Sequence, residues 1–213
     1  MSIKKSVILF SGYGSNLENL LLNKSQLDGK LDYIAAFTNN SKANGIKICK
    51  NHMLEITISN NNELETDLKA FLEKYKPDLI ILAGFMKIIS KELVHDYIGK
   101  IINIHPSILP KYPGLNTYDK VLMNKDKFHG VTIHYVDNTL DGGPIILQAK
   151  FSIKNHITKS ELELITHKVE HKIYPIVIQW FAEDLIEFDK NRIKFKDKVI
   201  ESPITYLIDN EKL

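Results

Sequence analysis

Several things are scarce in this chain, and each scarcity excludes something. Cys49 is the only cysteine, so there is no intramolecular disulfide framework. Arg192 is the only arginine; every other basic residue is a lysine. An anionic ligand must therefore be held mainly by lysine, backbone N–H groups and neutral side chains, because planar guanidinium forks are not at hand. No apolar run reaches the roughly 18 residues of a spanning helix. The run near the start, Ser6 to Phe10, is too short for the apolar region of a signal peptide. A cytoplasmic protein without a membrane partner is expected. The formal net charge of +2 is too small to argue for a nucleic-acid partner. Repeats, low-complexity tracts and linkers are also missing, so a single domain over residues 1–213 is expected.

What is present fits an ordinary globular protein with one sizeable core, with 44% hydrophobic and 25% charged residues in 213. The first half alternates strand-like and helix-like stretches. Ser6–Ser11 is a continuous apolar run that ends in Gly12-Tyr13-Gly14, after which Leu17, Leu20 and Leu21 recur at helical spacing. Ile34–Thr38 reads as a second strand, followed by a helix over Ala43–Asn51. Leu64, Leu68, Phe71, Leu72 and Tyr75 mark a longer amphipathic helix, halted before Pro77. Leu79–Ala83 and Lys100–His105 are further strands. Runs apolar on both faces, alternating with helices, predict an α/β fold with a mostly parallel central sheet and helices on both faces. The later part predicts a mixed region. Val131–Val136 and Ile145–Ile153 are strand-like, a long helix covers about Ser160–Phe181, and Leu185–Phe188 with Arg192–Phe195 reads as a hairpin.

Three segments carry candidate chemistry. Ser11-Gly12-Tyr13-Gly14-Ser15-Asn16 links the first strand to the first helix, where glycines and unpaired helix N–H groups suit a phosphate. It is not a dinucleotide fingerprint, since Leu17 stands where the third glycine belongs, and no Walker lysine follows. A tight structural turn is the alternative. In the second segment, Asn103 and His105 are two apart on a strand and so share a face, near the strand's carboxyl end. Pro106 keeps His105 extended, and the Pro- and Gly-rich stretch to Gly114 predicts a shaped loop beside a pocket. An amide and an imidazole together suit a reaction at a carbonyl; a strand-end pair without chemistry is the alternative. The third, Asp141-Gly142-Gly143-Pro144, is either a plain turn or an acid able to hold a nearby imidazole protonated. The stretch His167-Lys168-Val169-Glu170-His171 formally matches an inverted zinc-peptidase pattern. A zinc site needs a third protein ligand, and Glu183 and Glu187 have no distinctive context; no metal is expected.

Taken together, the motifs resemble the folate-dependent phosphoribosylglycinamide formyltransferases. The resemblance rests on Ser11 to Leu17, Leu82 to Met86, Asn103 to Gly114, His129-Gly130, Leu140 to Gln148 and Glu170 to Pro175, in family order over about residues 6–181. It implies formyl transfer from 10-formyltetrahydrofolate to the amine of 5-phosphoribosylglycinamide in purine synthesis. It implies a Rossmann-like fold with a phosphate-binding half (about 1–100) and a folate-binding, catalytic half (about 101–213). Asn103, His105 and Asp141 carry over as the catalytic set. Gly14, Ser15 and Asn16 would bind the acceptor's phosphate and Glu170 its ribose. Met86, Lys87, Ile88 and Ile89, with Asn103, Asp137, Asn138, Thr139, Leu140 and Asp141, would line the folate site. A monomer or weak homodimer is expected.

The chain departs from the family pattern at Tyr13, often Asn, and at Lys87, usually Arg. The family's further arginine has no counterpart near Asn60–Glu63. A methionyl-tRNA formyltransferase would carry an added C-terminal domain and a formyltetrahydrofolate deformylase an added N-terminal one. A non-catalytic nucleotide-binding module would have no need of Asn103, His105 and Asp141 together.

Overall fold

The computed structural model describes residues 2–59 and 63–209. The chain opens with strand β1 (Lys4–Phe10), helix α1 (Ser15–Leu22), a 3-10 turn and strand β2 (Leu31–Thr38). Helix α2 (Gly45–Asn51) leads to the short β3 (Ile56–Ile58), then α3 (Leu64–Tyr75), β4 (Leu79–Leu82), α4 (Lys91–Asp96) and β5 (Ile101–His105). After α5 (Thr117–Met123) come β6 (Phe128–Tyr135) and β7 (Ile145–Ser152), and then the long α6 (Lys159–Ala182). Four short strands close the chain: β8 (Ile186–Asp189), β9 (Arg192–Phe195), β10 (Lys198–Val199) and β11 (Ile204–Ile208).

Eight strands form one sheet in the order β11-β7-β6-β5-β4-β1-β2-β3. Strands β1 to β5 pair in parallel, whereas β6 pairs antiparallel with both β5 and β7. The burial of β1 shows why its second half, Val7 to Phe10, is apolar throughout. Ile8 and Phe10 enter one core with Leu17 and Leu20 of α1 and Val169, Ile173 and Val177 of α6. Val7 and Leu9 point the other way, into a second core with Leu68, Phe71 and Leu72 of α3 and Leu93 of α4. Neither face of residues 7–10 meets water, so both are apolar, and the buried Ser6 before them donates its hydroxyl to the Asp32 carbonyl at 2.9 Å.

Helix α6 starts at a reciprocal capping box. The Thr158 side chain accepts from the Glu161 N–H, and the Glu161 carboxylate accepts from the Thr158 N–H. Its buried Tyr174 hydroxyl donates to the Leu82 carbonyl at 2.9 Å, which fixes the helix over the end of β4.

The expected hairpin after α6 is present, as β8 and β9, with β10 added as a third strand of a small sheet. The chain then returns to pair β11 in parallel with β7, a strand that the sequence reading did not foresee. Its half-buried alternation, with Ile204, Tyr206 and Ile208 on one face, is the signature of a strand at a sheet edge. The helices α4 and α5 were also unforeseen, being too short to establish a period.

Candidate active site

The carboxyl ends of the parallel strands are drawn together by Ser11, which follows β1. Its N–H donates to the Gly84 carbonyl at 3.0 Å, and its hydroxyl donates to Asn39 Oδ1 at 2.6 Å. The same hydroxyl accepts from the Met86 N–H at 2.8 Å, and the Ser11 carbonyl accepts from Asn40 Nδ2 at 2.9 Å. One serine thus ties the loops after β1, β2 and β4 together. Gly14 caps α1 at φ 87. A Cβ there would lie 2.8 Å from the Gly45 Cα, so the position requires glycine for both conformation and space. The first-turn N–H groups of α1 open beside it, since a helix start leaves them without intrahelical partners. Tyr13 is 76% exposed, and its backbone carbonyl accepts from Asn44 Nδ2 at 3.3 Å. The loop keeps its shape with tyrosine at that position because its contact here is through backbone. The expected gap in arginine at Asn60, Asn61 and Asn62 lies outside the described residues.

Asn16 and Glu170 meet across 154 positions of sequence: Asn16 Nδ2 donates to Glu170 Oε2 at 2.9 Å. Burial raises the Glu170 carboxyl to about 7, and the Asn16 hydrogen bond only partly offsets that rise. Asn16 Oδ1 is buried with no hydrogen-bond partner, an acceptor left unsatisfied. Glu170 therefore faces the glycine loop. His171 Nε2 is likewise buried and unpartnered, and burial lowers that imidazole's affinity for a proton. Glu183 is engaged by Lys30 and Gln179, and Glu187 by Lys194. Among the described residues, no group of three or more His, Cys, Asp or Glu is disposed to hold a metal ion.

The other part of the site is built in rows across β5, β6 and β7. Asn103 stands opposite His134, and His105 opposite Thr132, which in turn stands opposite Gln148. Residues paired in register project to the same side of a sheet, so each row sets its side chains beside one another. Asn103 Nδ2 lies 3.3 Å from His134 Nε2. His134 Nδ1 lies 2.9 Å from the Tyr135 carbonyl, which can only accept, so Nδ1 carries the ring proton. The ring is almost fully buried, which lowers its affinity for a second proton. Neutral His134 then accepts at Nε2 from the Asn103 amide, leaving the second amide N–H for another acceptor.

Asp141 reaches this row and the next. The loop from Val136 to Pro144 folds back tightly, since a Cβ on Gly143 would fall 2.0 Å from the Tyr135 carbonyl oxygen. Asp141 itself adopts φ 50, a left-handed conformation uncommon outside glycine. Its Oδ2 accepts from the Gly114 N–H at 2.7 Å and lies 3.4 Å from His105 Nδ1, while Oδ1 lies 3.7 Å from His134 Nε2. His105 Nε2 lies 2.9 Å from the Tyr112 carbonyl. A carbonyl and a carboxylate, both acceptors, face the two nitrogens of one ring. Each ring nitrogen thus faces an acceptor, so an N–H at either one has a partner. Asn103, His105 and Asp141, separate in sequence, are thus brought together.

The remaining expected residues lie around this cluster. Met86 is 68% and Ile88 86% exposed, with Lys87 exposed between them. Ile89 is different: its side chain is buried in the second core and anchors the segment. Asp137 Oδ1 accepts from both the N–H and the hydroxyl of Thr139, a turn that stiffens the loop carrying exposed Asn138 and Leu140. Sequence reasoning missed His134, Ser11's bridging role, Thr132 and Tyr112. His134 had a detectable signal, because it stands two residues after Thr132 in an apolar strand, but nothing local could pair it with Asn103.

Comparison with known proteins bears on this site. The formyl transferase family model matches residues 4–178. Phosphoribosylglycinamide formyltransferase of Escherichia coli (strain K12) is 36% identical over 193 residues, covering 87% of this chain and 90% of that protein. The enzyme of the same name from Haemophilus influenzae is 37% identical over 195 residues, covering 89% and 92%. The solved phosphoribosylglycinamide formyltransferase of Coxiella burnetii superposes with a TM-score of 0.89 at 34% identity, covering 96% of this chain and 99% of that one.

Proposed function

The chain belongs to the formyl transferase family, and from that premise we propose that it transfers the formyl group of 10-formyltetrahydrofolate to the amine of 5-phosphoribosylglycinamide. The single observation that carries this reading is the junction of Asn103, His105 and Asp141, with Asp141 Oδ2 3.4 Å from His105 Nδ1. The reaction proceeds by direct attack. The amine adds to the formyl carbon, and the carbonyl electron pair moves onto oxygen. The free N–H of Asn103 and an N–H of the His105 ring stabilise that oxyanion, with Asp141 beside the ring to orient it. The oxyanion then collapses, the bond to the folate nitrogen breaks, and that nitrogen takes a proton as the amine loses one. His105 is only 5% exposed with both nitrogens engaged. Donation to the formyl oxygen therefore requires the ring to exchange one of those contacts.

In this reading, Gly14, Ser15 and Asn16 hold the acceptor's phosphate. Glu170 and the unpartnered Asn16 Oδ1 accept from its ribose hydroxyls, which supplies what the buried amide oxygen lacks. The pterin and tail of the donor lie against Met86 to Ile88 and Asp137 to Asp141, with Lys87 as the cation for a carboxylate. The division at about residue 100 then describes strands rather than ligands, since Glu170 serves the acceptor and Met86 the donor. The whole chain acts as one unit, as a monomer or weak homodimer in the cytoplasm, without metal, nucleic acid or membrane.

Incubating the protein with both substrates and following the formylated product by mass spectrometry tests the proposal. Product formation that survives rigorous chelation is expected. Deformylation by water with no need for the acceptor, or binding of both ligands without turnover, would overturn it.

A further inference from the structure

The loop that follows His105 is held from beneath by a polar row, buried at His105 and Thr132 and half-buried at its last member, which has no place in the chemistry above. Ser107 N–H donates back to the His105 carbonyl at 2.8 Å, and the Ser107 hydroxyl donates to the Lys111 carbonyl at 2.6 Å. These bonds curl the loop so that Tyr112, at φ 57, brings its carbonyl onto His105 Nε2. Proline at 106, 110 and 113 leaves this stretch short of backbone donors and without a regular ladder. Its shape must come from other groups.

Two side chains supply them. The Thr132 hydroxyl donates to the Ser107 carbonyl at 2.7 Å and accepts from the Leu109 N–H at 3.1 Å. Gln148 Nε2 donates to the Leu109 carbonyl at 2.7 Å and to Thr132 Oγ1 at 3.1 Å. Both N–H groups of the Gln148 amide are thereby used, and the Thr132 oxygen is saturated with one bond donated and two accepted. His105, Thr132 and Gln148 stand in one register row across three strands, so the sheet itself sets the spacing of this support.

We propose that Gln148 is a positioning residue for His105, acting through the Leu109 carbonyl and Thr132 to hold the Tyr112 carbonyl against His105 Nε2. Without the Gln148 donor, the Leu109 carbonyl is left buried and unpaired, and the curl relaxes toward water. His105 then loses the acceptor that orients it and keeps Asp141 alone. The inference rests on the assignment of His105 to catalysis only for its effect on rate; the effect on the ring is independent of any substrate.

Gln148→Leu is the test, with Gln148→Glu as a second variant of nearly the same shape whose carboxylate has no N–H to donate. Two readouts are needed. In the nitrogen-15 spectrum of the histidine rings, the His105 Nε2–H signal of the unaltered protein should be visible and slow to exchange. It should broaden or vanish in both variants while the His134 Nδ1–H signal stays. In turnover, kcat per folded molecule should fall about tenfold or more, with KM for both substrates within about twofold. Lys150→Met, on the same strand but outside the row, should change neither. An unchanged His105 signal with an unchanged kcat overturns the proposal. So does a parallel loss of the His105 and His134 signals, which would mean that Gln148 merely supports the fold. If the unaltered protein turns over no substrate, the functional reading fails, while the ring spectrum still decides the role of Gln148.

Discussion

The parallel and antiparallel halves of the sheet build their shares of the candidate site by different means. On the parallel side, the loop after β1 makes a cradle out of consecutive residues, Gly12 to Asn16, and uses backbone and glycine for its shape. On the antiparallel side, hardly any neighbours in sequence are neighbours in the site. Asn103 meets His134, and His105 meets Asp141, Thr132 and the Tyr112 carbonyl, through strand register and two back-folded loops. The first arrangement binds an anion wherever a helix starts. The second sets donors and acceptors at chosen angles, which stabilising a developing charge requires. The difference teaches that binding can be assembled locally, whereas a carbonyl reaction needs groups supplied by several strands.

The largest expected effect tests the antiparallel side. Asn103→Ala and His105→Ala should each lower kcat by about a hundredfold to a thousandfold, as loss of an oxyanion donor does, with acceptor binding retained by calorimetry. A rise in acceptor KM with kcat preserved would erase the distinction between the two halves. Next comes the parallel side. Gly14→Ala forces a Cβ into a left-handed residue at about 1–2 kcal/mol and against Gly45. Steady-state kinetics should show acceptor KM raised by about tenfold or more with little change in kcat. Equal loss of both constants would mean that the cradle also sets the reaction geometry.

The smallest effect sharpens the boundary between the halves, at Glu170. Its folded-state carboxyl lies near 7 against an ordinary 4.5, so the folded protein binds more protons than the unfolded chain between those values. Stability therefore falls as pH rises through that window, by up to about 3.5 kcal/mol at roughly 1.4 kcal/mol per unit. Glu170→Gln should flatten that fall in thermal melts, gaining stability at pH 8 relative to pH 5. It should also raise acceptor KM about fivefold, the loss of roughly one hydrogen bond. A melt whose pH dependence is unaltered would show that Glu170 is not buried as a charged group at all.

Much of the parallel half was legible in the sequence because its signals are periodic or local. The apolar runs of β1 and β4, the helical spacing of α3 and the turn at Gly12 to Gly14 each lie within a few residues of one another. The short elements α4, α5 and β3 were not legible, being held by packing more than by their own pattern. The burial of Ile89 was not legible for a related reason. A segment that borders a pocket still alternates inward and outward, and the motif alone does not say which residue turns in.

By itself, the sequence determined the α/β class, the glycine cradle, the candidate trio and, through its motifs, the family. It did so because backbone conformation and side-chain periodicity are properties of neighbours. Tertiary structure alone decided that Asp141 reaches His105, that His134 orients the Asn103 amide, that Asn16 meets Glu170, and that Gln148 lies beneath the His105 loop. These pairings depend on strand register and on loops that fold back across the sheet. Nothing in either partner's local sequence encodes such a distance, and it comes into being only when the core closes.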